Sequence, residues 1–365
     1  DNLDLHLVED LKHDAIYAFQ YAITRELAYS ALSFSQRRQL HRAAALWYER
    51  EHRGNLAPHY ALLAHHWRGA EVPEREGYYA YLAGMRAAAQ YAGADAGAYL
   101  ERALELTPPS QSERRSQILL QLETLYHLSA ARPKQIGALR LLEELAAGEN
   151  SAALRAEIGI RQARLHERML EPARCVAAAA AAYDNAMRAG DPALMGHSRV
   201  YHALGLIQLD RYEQALALLE RPHAPDDGGL EACRLDAMGV ALSRLGRYDE
   251  AQTALLQAQA RANAAGDRRA FGMILAHLAD NDAAMTSDAA QERYRLALRI
   301  HETAGDRQAE AETLGRLGLL ALAGGDPAEA RRYLERSRDA FRQIQDVPGE
   351  ASLLRATGCV RCEYG

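Results

Sequence analysis

Two segments of the chain, MGVALSRLGRYDEA at 238–251 and RLGLLALAGGDPAEARRYLERS at 316–337, share one spacing of small and large residues. Gly239, Ala251 and Leu255 in and after the first segment answer Gly318, Ala330 and Leu334 in the second. Small residues at Gly239, Ala251 and Ala258 let two helices approach closely, while Leu242, Tyr248 and Leu255 fill the space around them. A weaker copy with Ala290, Tyr294 and Ala297 lies between, so Ala251, Ala290 and Ala330 are spaced by 39 and 40 residues. The turns recur as well, as AAGD at 264–267, TAGD at 303–306 and RAGD at 188–191. Gly190, Gly266 and Gly305 suit the left-handed position that closes a helix, and the Asp after each suits the cap of the next one. A chain built this way has little choice but to fold as a stack of helical hairpins.

The pattern resembles the tetratricopeptide repeat, a helix, a tight turn and a second helix, lengthened from the usual period of about 34 residues. The expected fold is therefore all-α, a tetratricopeptide-like right-handed superhelical solenoid of antiparallel helix pairs. Earlier pairs follow the same logic: 77–108 with Gly84, Leu100 and Pro108, then 111–130 with 133–147, 151–168 with 171–189, and a hairpin over 201–222 with Gly205, Tyr212, Ala215 and Leu219. About seven hairpins result, with RPHAPDDGGLE at 221–231 as the most loop-like stretch of the second half. Ala dominates, Ile and Val are sparse, and few runs alternate with period 2, which agrees with a helical chain. The division expected is an N-terminal helical segment over 1–70, repeats over 71–345 and a tail or capping segment over 346–365.

Charge and cysteine content exclude several classes. The net charge is −6, Lys occurs only at Lys12 and Lys134, and no basic tail or stripe is present, so neither nucleic acid nor a membrane is an expected partner. Four Cys in 365 residues make no disulfide framework, which suits a reducing, cytoplasmic setting. No stretch is long and apolar enough to span a bilayer; the Ala-rich RCVAAAAAAY at 174–183 is too short. The sequence starts at Asp and reads as a segment trimmed from a longer chain.

The opening differs from the repeats. VEDLKHDAIYAFQ at 8–20 suggests a short strand, and 18–52 reads as two helices joined near SFS, with Ser33 and Gln36 as a capping box. Leu40, Ala44, Leu46 and Trp47 make one apolar stripe. The features Phe19, Ala22, Glu26, Tyr29, Arg37, Arg38, Leu40 and His41, continued by APHYALLAHHW at 57–67 and by 81–104, resemble the segment after the ATPase and winged-helix parts of large multidomain signalling ATPases. Those proteins include adenylate cyclase-associated ATPases and transcription regulators with tetratricopeptide tails. The resemblance implies that nucleotide chemistry belongs to an upstream domain, since no phosphate-binding G-x-x-x-x-G-K-[ST] loop occurs here.

Candidate chemistry is thin. His59, His65 and His66 share one helical segment, but a helix-borne metal pair needs His at i and i+4 and position 62 is Leu, so the expected roles are one histidine bonded between helices and one at the surface. Cys359 and Cys362 form CVRC, half a zinc knuckle with no second half in the chain. Asp280, Asp282 and Asp288 lack the Gly and terminal Glu of a calcium loop and read as a solvated turn. Arg37, Arg38 and Arg42 read as bridges between helices, Tyr212 and Tyr248 as core, and Tyr78, Tyr79 and Tyr81 as candidates for a binding wall. No catalytic, cofactor-binding or metal residue is assigned, and no cofactor is expected. The function expected is a non-catalytic regulatory scaffold that docks a protein or peptide segment, or neighbouring domains of its parent. The alternative is a small-molecule effector sensor with a pocket on the concave face.

Overall fold

A computed structural model describes residues 21–90, 93–149, 151–221, 229–286 and 288–358 in full, and the backbone alone over 5–11, 14–19 and 359–364. The chain divides into two compact units, Asp1–Ile118 and Leu119–Gly365.

Unit 1 opens with an antiparallel hairpin of β1 (Leu5–Leu11) and β2 (Asp14–Phe19), with Leu5 opposite Phe19 and an irregular register between Leu7 and Glu9. The segment 8–20 thus contributes to a strand pair. Helices α1 (Ala22–Ala31), α2 (Phe34–Glu51), α3 (Tyr60–Gly69), α4 (Pro73–Ala89) and α5 (Gly93–Leu106) follow, and α6 (Ser112–Leu128) carries the boundary between units. Ser33 caps α2 as expected: its hydroxyl accepts from the Gln36 amide while the Gln36 side chain accepts from the Ser33 amide. The core between α3, α4 and α5 is built from Leu63, Ala64, Trp67, Ala80, Ala83 and Leu100, all buried.

Unit 2 continues with α7 (Arg132–Gly148), α8 (Ala152–Arg168), α9 (Pro172–Ala189), α10 (Pro192–Gln208), α11 (Tyr212–Leu219), α12 (Gly229–Arg244), α13 (Tyr248–Ala264), α14 (Arg268–Ala284), α15 (Ala289–Ala304), α16 (Arg307–Ala323), α17 (Pro327–Gln343) and α18 (Val347–Tyr364). Each first helix packs on its second, as α8 on α9, α12 on α13, α14 on α15 and α16 on α17. First helices also stack on one another, from α8 through α10, α12, α14 and α16 to α18. That double contact is the tetratricopeptide arrangement, in which each pair buries its apolar face against its neighbours.

The small residues act as expected. A Cβ on Gly239 would stand 2.5 Å from Leu255 Cγ, and one on Gly318 would stand 2.6 Å from Leu334 Cγ, the same close approach two periods apart. Ala251, Ala258, Ala290, Ala297 and Ala330 are buried, as are Tyr294 and Tyr333. Tyr212 lies half-buried against the α10–α12 core. Between first and second helices the backbone turns through one left-handed residue, Leu170, Asp210, Gly246, Thr286 and Gly325 in successive pairs. Gly190, Gly266 and Gly305 take the same conformation before the next pair, and the carboxylates of Asp191, Asp267 and Asp306 accept from the first amides of α10, α14 and α16.

One expectation fails here. Asp280 and Asp282 are not in a solvated turn but in the last turns of α14, where Asp282 is buried and accepts from Arg293 Nη1 at 2.6 Å. Asp280 accepts from the Tyr294 hydroxyl at 2.5 Å and pairs with Arg316. The polar run looked loop-like because each Asp was weighed without the arginine that a neighbouring helix supplies.

Candidate functional site

Within unit 2 the first helices of successive pairs place charged and hydrogen-bonding groups on a shared inner wall. The second helices spend their inward faces on Ala and Leu packing, so the first helices are left to present polar groups on the side away from it. The wall curves until α8 meets helices several pairs on. Arg168 lies 3.9 Å from Asp306, 3.6 Å from Glu312 and 3.8 Å from the Met273 sulfur, and its carbonyl accepts from Gln308 Nε2 at 3.0 Å. Arg132, at the start of α7, also donates to Gln308 Oε1.

The base of the wall is a buried carboxylate. Glu123 on α6 accepts from Gln135 Nε2 at 2.7 Å, Arg161 Nη1 at 2.5 Å and Arg164 Nη2 at 2.7 Å. Arg161 also donates to the Leu120 carbonyl and Thr124 Oγ1, tying α8 to α6. Four arginines, Arg164, Arg168, Arg132 and Arg269, surround His127, and burial together with their charge drives that imidazole well below its ordinary range. On α10, Gln208 Nε2 donates to the carbonyl and the carboxylate of Glu167. Burial raises the Glu167 carboxyl against the pull of Arg168.

Further along, Asp236 on α12 and His277 on α14 are 2.8 Å apart. Burial opposes a charged His277, but Asp236 outweighs it and raises the imidazole above its usual value. His277 and Arg316 stand 39 residues apart at the same station of α14 and α16, and Asp236 stands one residue before that station on α12. Two polar atoms on the wall have no hydrogen-bond partner among the described residues, the donor Arg164 Nε and the acceptor Gln208 Oε1. His301 Nδ1, on the second helix α15, is likewise unpartnered, and burial pulls that histidine down to about 4.

None of these wall residues was singled out from sequence except Asp280. The signal was available in two forms: the charged spacing Arg161, Arg164, Arg168 along one face of α8, and polar residues recurring with the repeat period. Both are invisible when each residue is judged within its own helix.

The residues that sequence did single out fall mostly in unit 1. His66 on α3 is half-buried and its Nδ1 lies 2.9 Å from Nδ1 of His41 on α2, while His65 is exposed; this is the expected split between a bonded and a surface histidine. The partner, however, comes from another helix. Burial and then the neighbouring imidazoles of His41 and His65 push His66 down to about 4, and burial followed by His65 lowers His41. His59 stacks on His52 with ring centres 4.1 Å apart. Arg37 bridges α1 and α2 by donating to the Ser30 and Leu32 carbonyls, and Arg38 makes an exposed pair with Glu71. Tyr79 is buried, and with Tyr78, Thr107 and Arg114 it lines a cleft of about 450 Å³. Leu40, Leu46 and Trp47 remain about half exposed, and Ile23, Leu27 and Phe34 more so. The side chains of Cys359 and Cys362 lie outside the described residues. Among the described residues no helix is long and apolar enough to cross a membrane.

The tetratricopeptide repeat family model matches residues 235–264, the α12–α13 pair. No curated protein matches the sequence. Among solved structures, the chain is similar to the Rap conjugation gene regulator of the plasmid pLS20 in complex with a Phr peptide, at 13% identity over 77% of each chain with a TM-score of 0.63. It is also similar to a Rap protein complexed with Competence and Sporulation Factor, at 12% identity over 90% of this chain and 98% of that one, TM-score 0.50. A signal transduction ATPase with numerous domains and a tetratricopeptide repeat sensor, from Pyrococcus horikoshii, aligns at 15% identity over 93% of this chain and 52% of that one, TM-score 0.45. The repeat match, the helix pairing and the likeness to the first two structures make this a tetratricopeptide-like array of helix pairs.

Proposed function

We propose that unit 2 is a non-catalytic docking scaffold that receives a short peptide or protein segment on its first-helix wall, as the regulatory part of a signalling protein. The observation that carries the reading is the pair of unpartnered atoms on α8 and α10, both buried, so that a segment reaches them only once the wall opens. A peptide unit offers one carbonyl acceptor and one N–H donor, and Arg164 Nε with Gln208 Oε1 offers the complement. Arg132, Arg168 and Arg316 supply charge for carboxylates, and Glu312, Asp306 and Asp280 supply it for cationic side chains. The Arg132–Gln308 and Arg168–Asp306 contacts close the wall on itself, so an incoming segment competes with them. A structure of similar fold, the Rap conjugation gene regulator, holds a peptide, which supports the choice of ligand class. The buried, unpaired Cys175, whose thiol burial pushes up to about 12, suits the reducing cytoplasmic setting read from the sequence.

The finer reading is that the chain senses or docks on behalf of an ATPase in the same polypeptide. The exposed apolar residues Ile23, Leu27 and Phe34 on α1 and α2 favour it, because such a face is the kind that another domain covers. The small-molecule alternative finds its support in the Tyr78–Arg114 cleft of unit 1.

Selection of random short peptides against the intact chain, followed by calorimetry, tests the proposal. Saturable one-to-one binding that is lost in Arg164→Ala and Gln208→Ala is the expected result. Failure to select any peptide, or binding indifferent to both changes, would refute it.

A further inference from the structure

Three imidazoles from two helices of unit 1 converge at one point. His41 of α2, and His65 and His66 of α3, each bring a ring nitrogen to within 4.8 Å of the other two. The ring centres lie 5.2 to 5.5 Å apart. Adjacent residues on a helix point about 100° apart, so His65 and His66 cannot share a ligand on their own face. Their nitrogens converge here because the His41 ring reaches the side of α3 that both flank.

Two further features hold that ring. The Tyr29 hydroxyl lies 2.8 Å from His41 Nε2 and can accept its proton, which leaves the Nδ1 lone pair directed at His66. This is the arrangement that orients metal-bound histidines, in which the distal N–H is fixed by a hydrogen bond to a neighbouring group. Gly69, one turn beyond the pair on α3, makes room: a Cβ there would stand 2.6 Å from His41 Cγ and Cδ2. Any side chain at 69 would push the ring off α3.

We propose that His41, His65 and His66 bind a divalent first-row metal ion, Zn2+ being the best fit, with water completing the shell on the exposed His65 side. Zinc takes imidazole nitrogen at about 2.0–2.1 Å in tetrahedral geometry, which separates two ligand nitrogens by about 3.3 Å. The His41–His66 nitrogens are 2.9 Å apart, so they move by a few tenths of an ångström to accept the ion. Carboxylates are absent from the trio, which disfavours Ca2+ and Mg2+. Bound metal would clasp α3 to α2, the helix that bears Phe34, Leu40, Leu46 and Trp47 of the exposed apolar face of unit 1.

Zn2+ titration of the intact chain against a chromophoric chelator tests the site, with Co2+ absorption reporting its geometry. One ion per chain is expected, with intense visible bands of tetrahedral Co2+. His65→Gln changes an exposed residue and should weaken binding at least tenfold without unfolding the protein. Gly69→Ala removes no ligand yet should weaken binding by a similar factor, and Tyr29→Phe by about tenfold. His59→Gln, in the separate His52–His59 stack, should leave binding unchanged. Absence of stoichiometric binding in the wild type would overturn the proposal. So would wild-type affinity in both His65→Gln and Gly69→Ala, or loss through His59→Gln alone.

Discussion

Replacing Glu123 by alanine tests how the wall of unit 2 is held together. Its carboxylate is fully buried and takes three donors from two helices. Arg161 keeps other partners after the change, in Glu157, Thr124 and the Leu120 carbonyl. Arg164 loses its ion pair while remaining largely enclosed, and its Nε is already without a partner. Breaking a buried pair by removing one member costs about 3–5 kcal/mol, because the remaining charge is left uncompensated. At about 2–4 °C per kcal/mol for a unit of this size, the melting transition of unit 2 should fall by roughly 10 °C. Circular dichroism gives the shift, and hydrogen exchange assigns it to α6–α8. Adding Arg164→Met should restore part of the loss, since an apolar side chain no longer needs the carboxylate. A shift under about 2 °C, or a double variant no better than the single one, would refute the claim that this carboxylate neutralises a buried arginine pair.

The glycines offer a contrast between crowding and propensity. Gly239→Ala and Gly318→Ala should each destabilise by about 1–2 kcal/mol, because overpacking against Leu255 or Leu334 exceeds the helix-propensity gain. Gly137→Ala, with open space around its Cβ position, should stabilise by about 0.5–1 kcal/mol in the same urea titration. Leu170→Gly relieves a left-handed residue at φ 55° and should raise stability by about 0.5 kcal/mol. The pH dependence divides by sign. His301, pulled down to about 4 by burial, contributes stability that is full above its unfolded value near 6.5 and is lost as pH falls toward 4, so His301→Gln should flatten the acid limb. His277 is raised by Asp236, so its contribution is present below about 6.5 and lost as pH climbs through the folded value; Asp236→Asn should abolish that alkaline loss in melts between neutral and mildly basic pH.

The architecture was legible because its determinants are local and repeated. Gly239 and Gly318 mark the close approaches, and the Gly–Asp turns mark the helix ends. The left-handed turns at Leu170 and Thr286 were not legible, since those side chains do not favour the conformation and hold it only because packed helices on both sides dictate it. The wall was legible least. Glu123 is satisfied by residues 12, 38 and 41 positions away, and Arg168 meets residues more than a hundred positions on. Pairing of that kind depends on how a stack of helices curves, which no single helix encodes. The histidines show the same limit at shorter range: His65 and His66 were weighed on α3 alone, and the third ring comes from α2.

Hydrogen exchange of the intact chain, with and without a selected peptide, tests the central claim most directly. Docking on the first-helix wall predicts new protection concentrated in α8, α10, α14 and α16, with the second helices α13 and α17 unchanged. Protection confined to α1 and α2, or spread over the second helices while the wall stays as it was, would contradict it.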